Sequence, residues 1–233
     1  MRGSIGRGND LLVYDLGILP YSEALALQHS LVEKRRAGSV GDMLLLLEHP
    51  PVITLGRSAS EADILADADE LQRNNVERVR IERGGETTYH GPGQLVGYPI
   101  IDLREHLRSL KKYVYLLEEV FITYLRDRYG IEADRDNDHR GVWVADGKIT
   151  AVGIAVQQRV TFHGFAFNVS TDLTHFDWIV PCGITDRTQT SLERECGESP
   201  DMKTVKHEIA AIFADLFGYE HTVFGTRTSP LVD

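Results

Sequence analysis

The chain predicts an α+β (α/β) fold, a mixed, largely antiparallel sheet with helices packed on it. Three observations lead there. Short apolar runs with strand character outnumber helical stretches. Several of those runs are joined closely enough to form hairpins. Two longer segments repeat apolar residues every three or four positions, the pattern of a helix lying against a sheet. No repeat, low-complexity tract or linker divides the chain, so residues 11–220 read as one domain, with an N-terminal arm over 1–10 and a C-terminal tail over 221–233.

In chain order, Leu11 to Leu16 reads as a strand, and Pro20 suits the first turn of a helix running toward Arg36, where its missing N–H costs nothing. Met43 to Leu47 and Val52 to Leu55, separated by Pro50-Pro51, are short strands. Val79 to Glu82 and Leu95 to Ile101 are further strands on either side of a glycine-rich segment. Between His106 and Tyr129, Leu107, Leu110, Val114, Leu117, Phe121 and Leu125 mark an amphipathic helix. Val142 to Val144 and Ile149 to Val156 form a hairpin about Asp146-Gly147, a dipeptide suited to positive φ. Val160 to Val169 is the next strand. Val205, Ile209, Ile212, Phe213 and Leu216 define a second helix, started by Ser199-Pro200 and stopped by Gly218.

With 233 residues, 42% of them hydrophobic, the chain is large enough to bury a core. No apolar stretch approaches the roughly 18 residues that span a bilayer. The opening MRGSIGRGND is basic without an apolar run, so it does not read as a signal peptide, and the expected location is the cytoplasm, off the membrane. The two cysteines, Cys182 and Cys196, are then expected to be reduced. A formal charge of −10 argues against nucleic acid as a partner. An acidic partner has to meet a local basic patch.

Three segments carry the chemistry. RGGETTYHGPGQ, Arg83 to Gln94, holds four glycines and one proline. On composition it is either the wall of a binding site or a tight turn, and it matches neither GxxxxGK[ST] nor GxGxxG. His90 stands inside it. In DGKITAVGIAV, Lys148 precedes an apolar run and is either a solvated turn residue or a cation pointed at a site. FHGFAFNVSTDLTHFDWIVPCG contains His163, Asn168, Asp172 and Cys182, the last held between a proline and a glycine in a special turn. A cysteine acts as a nucleophile only as thiolate and needs a nearby cation or base. Lys148, His90 and His163 are the candidates; the bland alternative is an inert buried cysteine. With neither a close Cys pair nor HExxH, no metal is expected.

Taken together, RGGETTYHGPGQLVGYPIIDL, GVWVADGKITAVGIAV, and TFHGFAFNVSTDL with IVPCGI resemble the octanoyltransferases of lipoate biosynthesis, also called lipoyl(octanoyl) transferases. The resemblance runs from Leu11 to Phe217 and includes the upstream LLLLEHPPVITLGR. It implies the fold of the lipoate and biotin protein ligase catalytic domain. It also implies transfer of an octanoyl or lipoyl group from acyl carrier protein to a lysine of lipoyl domains, those of 2-oxoacid dehydrogenase complexes and the glycine cleavage H protein. The donor is a thioester in place of ATP, and no cofactor is implied. The family's acyl-accepting cysteine falls on Cys182, and its pKa-lowering lysine on Lys148. The acyl-binding segments fall on Arg83, Gly84, Gly85, Glu86, Thr87, Thr88, Tyr89 and His90, on Ala151, Val152 and Gly153, and on Gly164, Phe165 and Ala166. His163 is a supporting candidate. His90, or backbone N–H groups around Cys182-Gly183, would hold the oxyanion. A basic rim of Arg57, Arg83 and Arg140 would meet acidic protein partners. The rival readings are an ATP-dependent lipoate or biotin ligase, a silent lipoyl-domain binding module and a Cys-His hydrolase.

Overall fold

Apolar runs bounded by Gly, Pro and Asp become strands, and the two segments of helical spacing become long helices, in a computed structural model that describes residues 9–105, 109–136, 139–180 and 188–226. The strands are β1 Asp10–Ile18, β2 Met43–Glu48, β3 Val52–Leu55, β4 Glu77–Arg80, β5 Thr87–His90, β6 Gln94–Ile100, β7 Asp134–Arg135, β8 Gly141–Val144, β9 Gly147–Gln157, β10 Val160–Asn168, β11 Thr188–Gln189 and β12 His221–Thr226. The helices are α1 Tyr21–Arg36, α2 Ala68–Arg73, α3 Leu110–Tyr129, α4 Leu192–Cys196 and α5 Met202–Phe217.

Among the described residues, a nine-stranded sheet runs in the order β12-β1-β2-β6-β10-β9-β8-β7, with β11 added against β9. The β12, β1 and β2 pairings are parallel, and those from β2 to β7 are antiparallel. This is the mixed sheet the sequence predicts. Parallel β1 and β2 need a crossover, which α1 supplies. The helix packs on β10 and β6, over the sheet face that buries Leu45, Val96, Phe162 and Ala166. The opposite face is covered by α3 and α5, which bury Phe121, Phe165, Phe167 and Phe213. Strands β4, β3 and β5 form a small second sheet. No helix among the described residues is long and apolar enough to cross a membrane.

Several local differences from the sequence expectation have physical causes. Helix α5 starts from Asp201, whose carboxylate accepts the Thr204 N–H at 2.9 Å, so Asp201 caps the helix in place of Ser199-Pro200. Helix α3 spans Leu110–Tyr129 and is capped by Ser109, whose hydroxyl accepts from Lys112; the expected start at His106 lies outside the described residues. The positive φ of the β8–β9 turn falls on Ala145, at 48°, and not on Gly147. Residues 87–90 of the glycine-rich segment are strand, since β5 pairs antiparallel with β3. Residues 221–226, expected within a tail, form edge strand β12 on β1. Its Val223 and Phe224 stay exposed, so the strand carries no burial pattern for the sequence to reveal.

Candidate active site

A cavity of about 350 Å³ lies where the loop before β5 crosses β9, β10 and β6. That volume is at the small end of small-molecule sites, about 300–1,000 Å³. All three chemistry-bearing segments reach it. Val96, Val152, Ile154, Phe165 and Ala166 make much of its wall apolar, and Lys148, His90 and His163 are polar groups that also line it.

Lys148 reaches this cavity because the strand pattern is broken beside it. Val142 pairs with Thr150 and Trp143 with Lys148, so β9 advances two residues where β8 advances one. Ile149 is the extra residue of a bulge. It enters the core under α3, completely buried, while Lys148 and Ala151, three positions apart, both line the cavity. On the other side of β9, Gln189 of β11 pairs with Lys148, and the Thr190 N–H donates to the Lys148 carbonyl at 3.0 Å. The Lys148 side chain is 4% exposed, and its ammonium lies 4.8 Å from the centre of the Trp143 ring, a cation–π distance. Gly141 allows β8 to come this close, because a Cβ there would stand 2.2 Å from the Thr150 carbonyl oxygen.

The Arg83 to His90 segment divides by function. Gly84 hooks onto β9 through its N–H to the Ile154 carbonyl at 3.0 Å. Arg83, Gly84, Gly85, Glu86, Thr88 and His90 line the cavity. Thr87 and Tyr89 alternate to the other face of β5 and lie outside it. There the Thr87 hydroxyl donates to Asp63 at 3.0 Å and the Tyr89 ring packs against Phe176 and Trp178. The other two acyl-binding segments, Ala151-Val152-Gly153 and Gly164-Phe165-Ala166, sit on neighbouring β9 and β10 and all line the wall. A Cβ on Gly164 would meet the Gly97 carbonyl oxygen at 2.3 Å, so only glycine fits between β10 and β6.

A buried polar relay fixes His90. The Asn168 amide nitrogen donates to the Thr190 carbonyl at 3.0 Å, which leaves Asn168 Oδ1 to accept from Gln94 Nε2. Gln94 Oε1 must then accept from His90 Nδ1, 2.7 Å away. A backbone carbonyl can only accept, so the chain has one polarity, and His90 is the Nδ1–H tautomer with a lone pair on Nε2. Burial, with His49 nearby, pushes its pKa down to about 3, so the ring is neutral. His90 therefore presents an acceptor at Nε2, the reverse of an oxyanion donor.

A second set of groups surrounds the expected His163, and of these His49, Tyr21 and Tyr98 were not legible as site residues. His49 Nδ1 donates to the Leu19 carbonyl at 2.6 Å, so its Nε2 accepts from the Tyr98 hydroxyl at 2.7 Å. Burial pushes His49 down to about 4. His163 is buried, its φ is 54°, and burial with Arg83 nearby pushes its pKa to about 3. Its Nδ1 lies 3.4 Å from the Tyr21 hydroxyl, and its backbone N–H donates to Gln28. Tyr21 and Tyr98 line the cavity, yet in sequence they read as a helix start and a core strand. The one available signal was the histidine of LLLLEHPP.

The expected basic rim is only partly present. Arg140 lines the cavity. Arg57 is exposed and donates to the Glu82 carbonyl at 2.7 Å. Arg83 is 8% exposed and turns inward, bonded to the Thr54 carbonyl and hydroxyl at 3.1 and 2.9 Å, so it clamps the loop to β3. Cys182 lies outside the described residues. Thr188, six residues after it in the chain, pairs with Gly147 beside Lys148.

Comparison with known proteins agrees with this geometry. Residues 20–214 match the lipoyl protein ligase A/B catalytic domain. An octanoyltransferase of Caldicellulosiruptor bescii is 52% identical over 211 residues, covering 90% of this chain and 92% of its own. One from Desulforamulus reducens is 46% identical over 217 residues, covering 93% and 95%. A putative lipoate protein ligase from T. acidophilum, solved with bound lipoic acid, superimposes with a TM-score of 0.73 at 16% identity, covering 97% of this chain and 91% of that one. At that identity it shows the fold alone. The chain belongs to the lipoyl protein ligase A/B catalytic-domain family and, within it, to the octanoyltransferases, and is an acyltransferase.

Proposed function

We propose that this enzyme takes an octanoyl or lipoyl group from acyl carrier protein as a thioester, holds it on Cys182, and passes it to a lysine of a lipoyl domain. Those domains belong to 2-oxoacid dehydrogenase complexes and to the glycine cleavage H protein. The observation that carries the reading is Lys148, a 4% exposed lysine lining a cavity whose walls are largely apolar. A buried ammonium favours a nearby thiolate, and such surroundings bring cysteine pKa values to about 3.5–7.5. The pairing of Thr188 beside Lys148 brings the chain that follows Cys182 to the same strand.

The Cys182 thiolate attacks the donor carbonyl and expels the carrier thiolate, which takes the Lys148 proton and leaves as the thiol, so one thioester replaces another at similar energy and no nucleotide is consumed. The acceptor amine then attacks the octanoyl-Cys182 carbonyl, forming an amide and releasing the Cys182 thiolate. Lys148, as the neutral amine, takes the proton that the attacking nitrogen loses. Backbone N–H groups around Cys182-Gly183 hold the oxyanion in both steps, a duty that the His90 tautomer does not suit. The chain fits along Ala151 to Gly153 and Gly164 to Ala166. At about 0.8 kcal/mol per buried CH₂, neighbouring chain lengths react more slowly without being excluded. The test is modification of a lipoyl domain by octanoyl carrier protein with no nucleotide present. Product is expected; a strict requirement for ATP would move the enzyme to the ligase reaction.

A further inference from the structure

Glu118 is a buried carboxylate that the transfer steps do not use. It sits on α3 one turn after Val114, which lines the cavity, and is 1% exposed. Its Oε1 accepts the Gly141 N–H at 3.1 Å, and its Oε2 lies 3.4 Å from Arg135 Nε. Gly141 is also a neighbour of Lys148, since a Cβ on that glycine would lie 3.5 Å from Lys148 Cε. A carboxylate and the end of the lysine thus flank one residue that has no side chain. Burial raises the Glu118 pKa, and it is opposed by the Gly141 N–H and, among the described residues, by the positive charges of Arg135 on β7, Arg140 just before β8 and Lys148 on β9. Adjacent Glu119 takes Arg135 Nη2, and the Arg135 guanidinium also stacks 3.8 Å over the Tyr115 ring, so Arg135 is divided among several partners.

We propose that Glu118 is a positioning residue for Lys148, its carboxylate anchored by the Gly141 N–H and supplying the negative charge that keeps the lysine an ammonium inside the cavity. This deepens, and rests on, the reading that Lys148 activates Cys182. An ammonium removed from water needs a nearby anion to stay charged. Without it, Lys148 gives up its proton at lower pH and the window in which ammonium and thiolate coexist narrows from the alkaline side.

The experiment is a pH titration of Lys148 by NMR in the full chain labelled with [ε-¹³C]lysine, the resonance assigned with Lys148→Met. Glu118→Gln keeps the shape and the bond to Gly141 but removes the charge, and is expected to lower the Lys148 midpoint by about one unit. Glu119→Gln, one residue along, is expected to leave it in place. Coupling between two titrating sites is reciprocal. Lys148→Met must therefore raise the Glu118 midpoint by the same amount, read with [δ-¹³C]glutamate, and this decides the matter if Glu118→Gln does not fold. Unmoved midpoints in either direction overturn the proposal. The shift is expected equally in a Cys182→Ser background, so a missing octanoyl adduct on Cys182 would count against the transfer reading and not against this one.

Discussion

The Gln94 amide nitrogen donates to Asn168 Oδ1 at 2.9 Å, joining β6 to the end of β10 and setting the direction of the hydrogen bonds that reach His90. The predicted result is one neutral His90 tautomer, protonated at Nδ1, in long-range ¹H–¹⁵N spectra at pH 7. Gln94→Glu places a carboxylate on Nδ1 and is expected to raise the His90 pKa from about 3 by about 1–3 units. An Nε2–H tautomer in the unmodified enzyme would refute the relay.

The buried histidines predict an unusual pH dependence of stability. His49, His90 and His163 have native pKa values lowered from 6.5 to about 4, 3 and 3. Below pH 6.5 the unfolded chain takes up protons on these rings while the native state does not, so stability is full above 6.5 and falls as pH drops toward the native values. Each ring contributes a slope of up to about 1.4 kcal/mol per pH unit. Urea unfolding at pH 7 and pH 5 should show a loss of several kcal/mol, before most carboxylates titrate. His49→Gln should flatten the curve, and equal stabilities at the two pH values would contradict the assignment.

Gly164→Ala should cost about 1–3 kcal/mol, because its Cβ would meet the Gly97 carbonyl oxygen and backbone must move. Transfer activity should fall further than stability, since β10 would shift against the acyl wall. Gly84→Ala is the comparison: the nearest atom to its added Cβ is the Ile154 carbonyl oxygen at 3.6 Å, an ordinary contact. Equal melting temperatures for the two variants would sink this account of the β6–β10 contact.

Asp42 should be a stability hub. Its carboxylate meets Arg35 Nε at 2.6 Å, the Asp102 N–H at 3.0 Å and the Tyr219 hydroxyl at 2.9 Å, and it is 3% exposed. Asp42→Ala leaves the Arg35 guanidinium buried with Glu105 as its one remaining ion-pair partner among the described residues, and should cost about 3–5 kcal/mol. A loss under about 1 kcal/mol in denaturant unfolding would show that Glu105 compensates.

Where burial followed a regular period, the sequence was legible. Leu45, Leu47, Val96 and Phe167 announced central strands, and Leu117, Phe121 and Leu125 announced α3. Edge strand β12 was hidden because His221 to Gly225 bury little. The Ile149 bulge was hidden because register depends on the partner strand, and that bulge brings Lys148 and Ala151 to one cavity. The site segments were legible as motifs, but the sidedness of β5 was not, so Thr87 and Tyr89 looked equivalent to Thr88 and His90. His49 and Tyr98 are held by contacts to residues 30 and 49 positions away, which no local pattern encodes.

The most direct test of the acyl-transfer account is intact-mass analysis of the enzyme after mixing with octanoyl carrier protein. One octanoyl group is predicted, mapped to Cys182, absent in Cys182→Ser, slowed in Lys148→Ala and discharged by adding a lipoyl domain. An enzyme that modifies the lipoyl domain at full rate without acquiring that mass would contradict it.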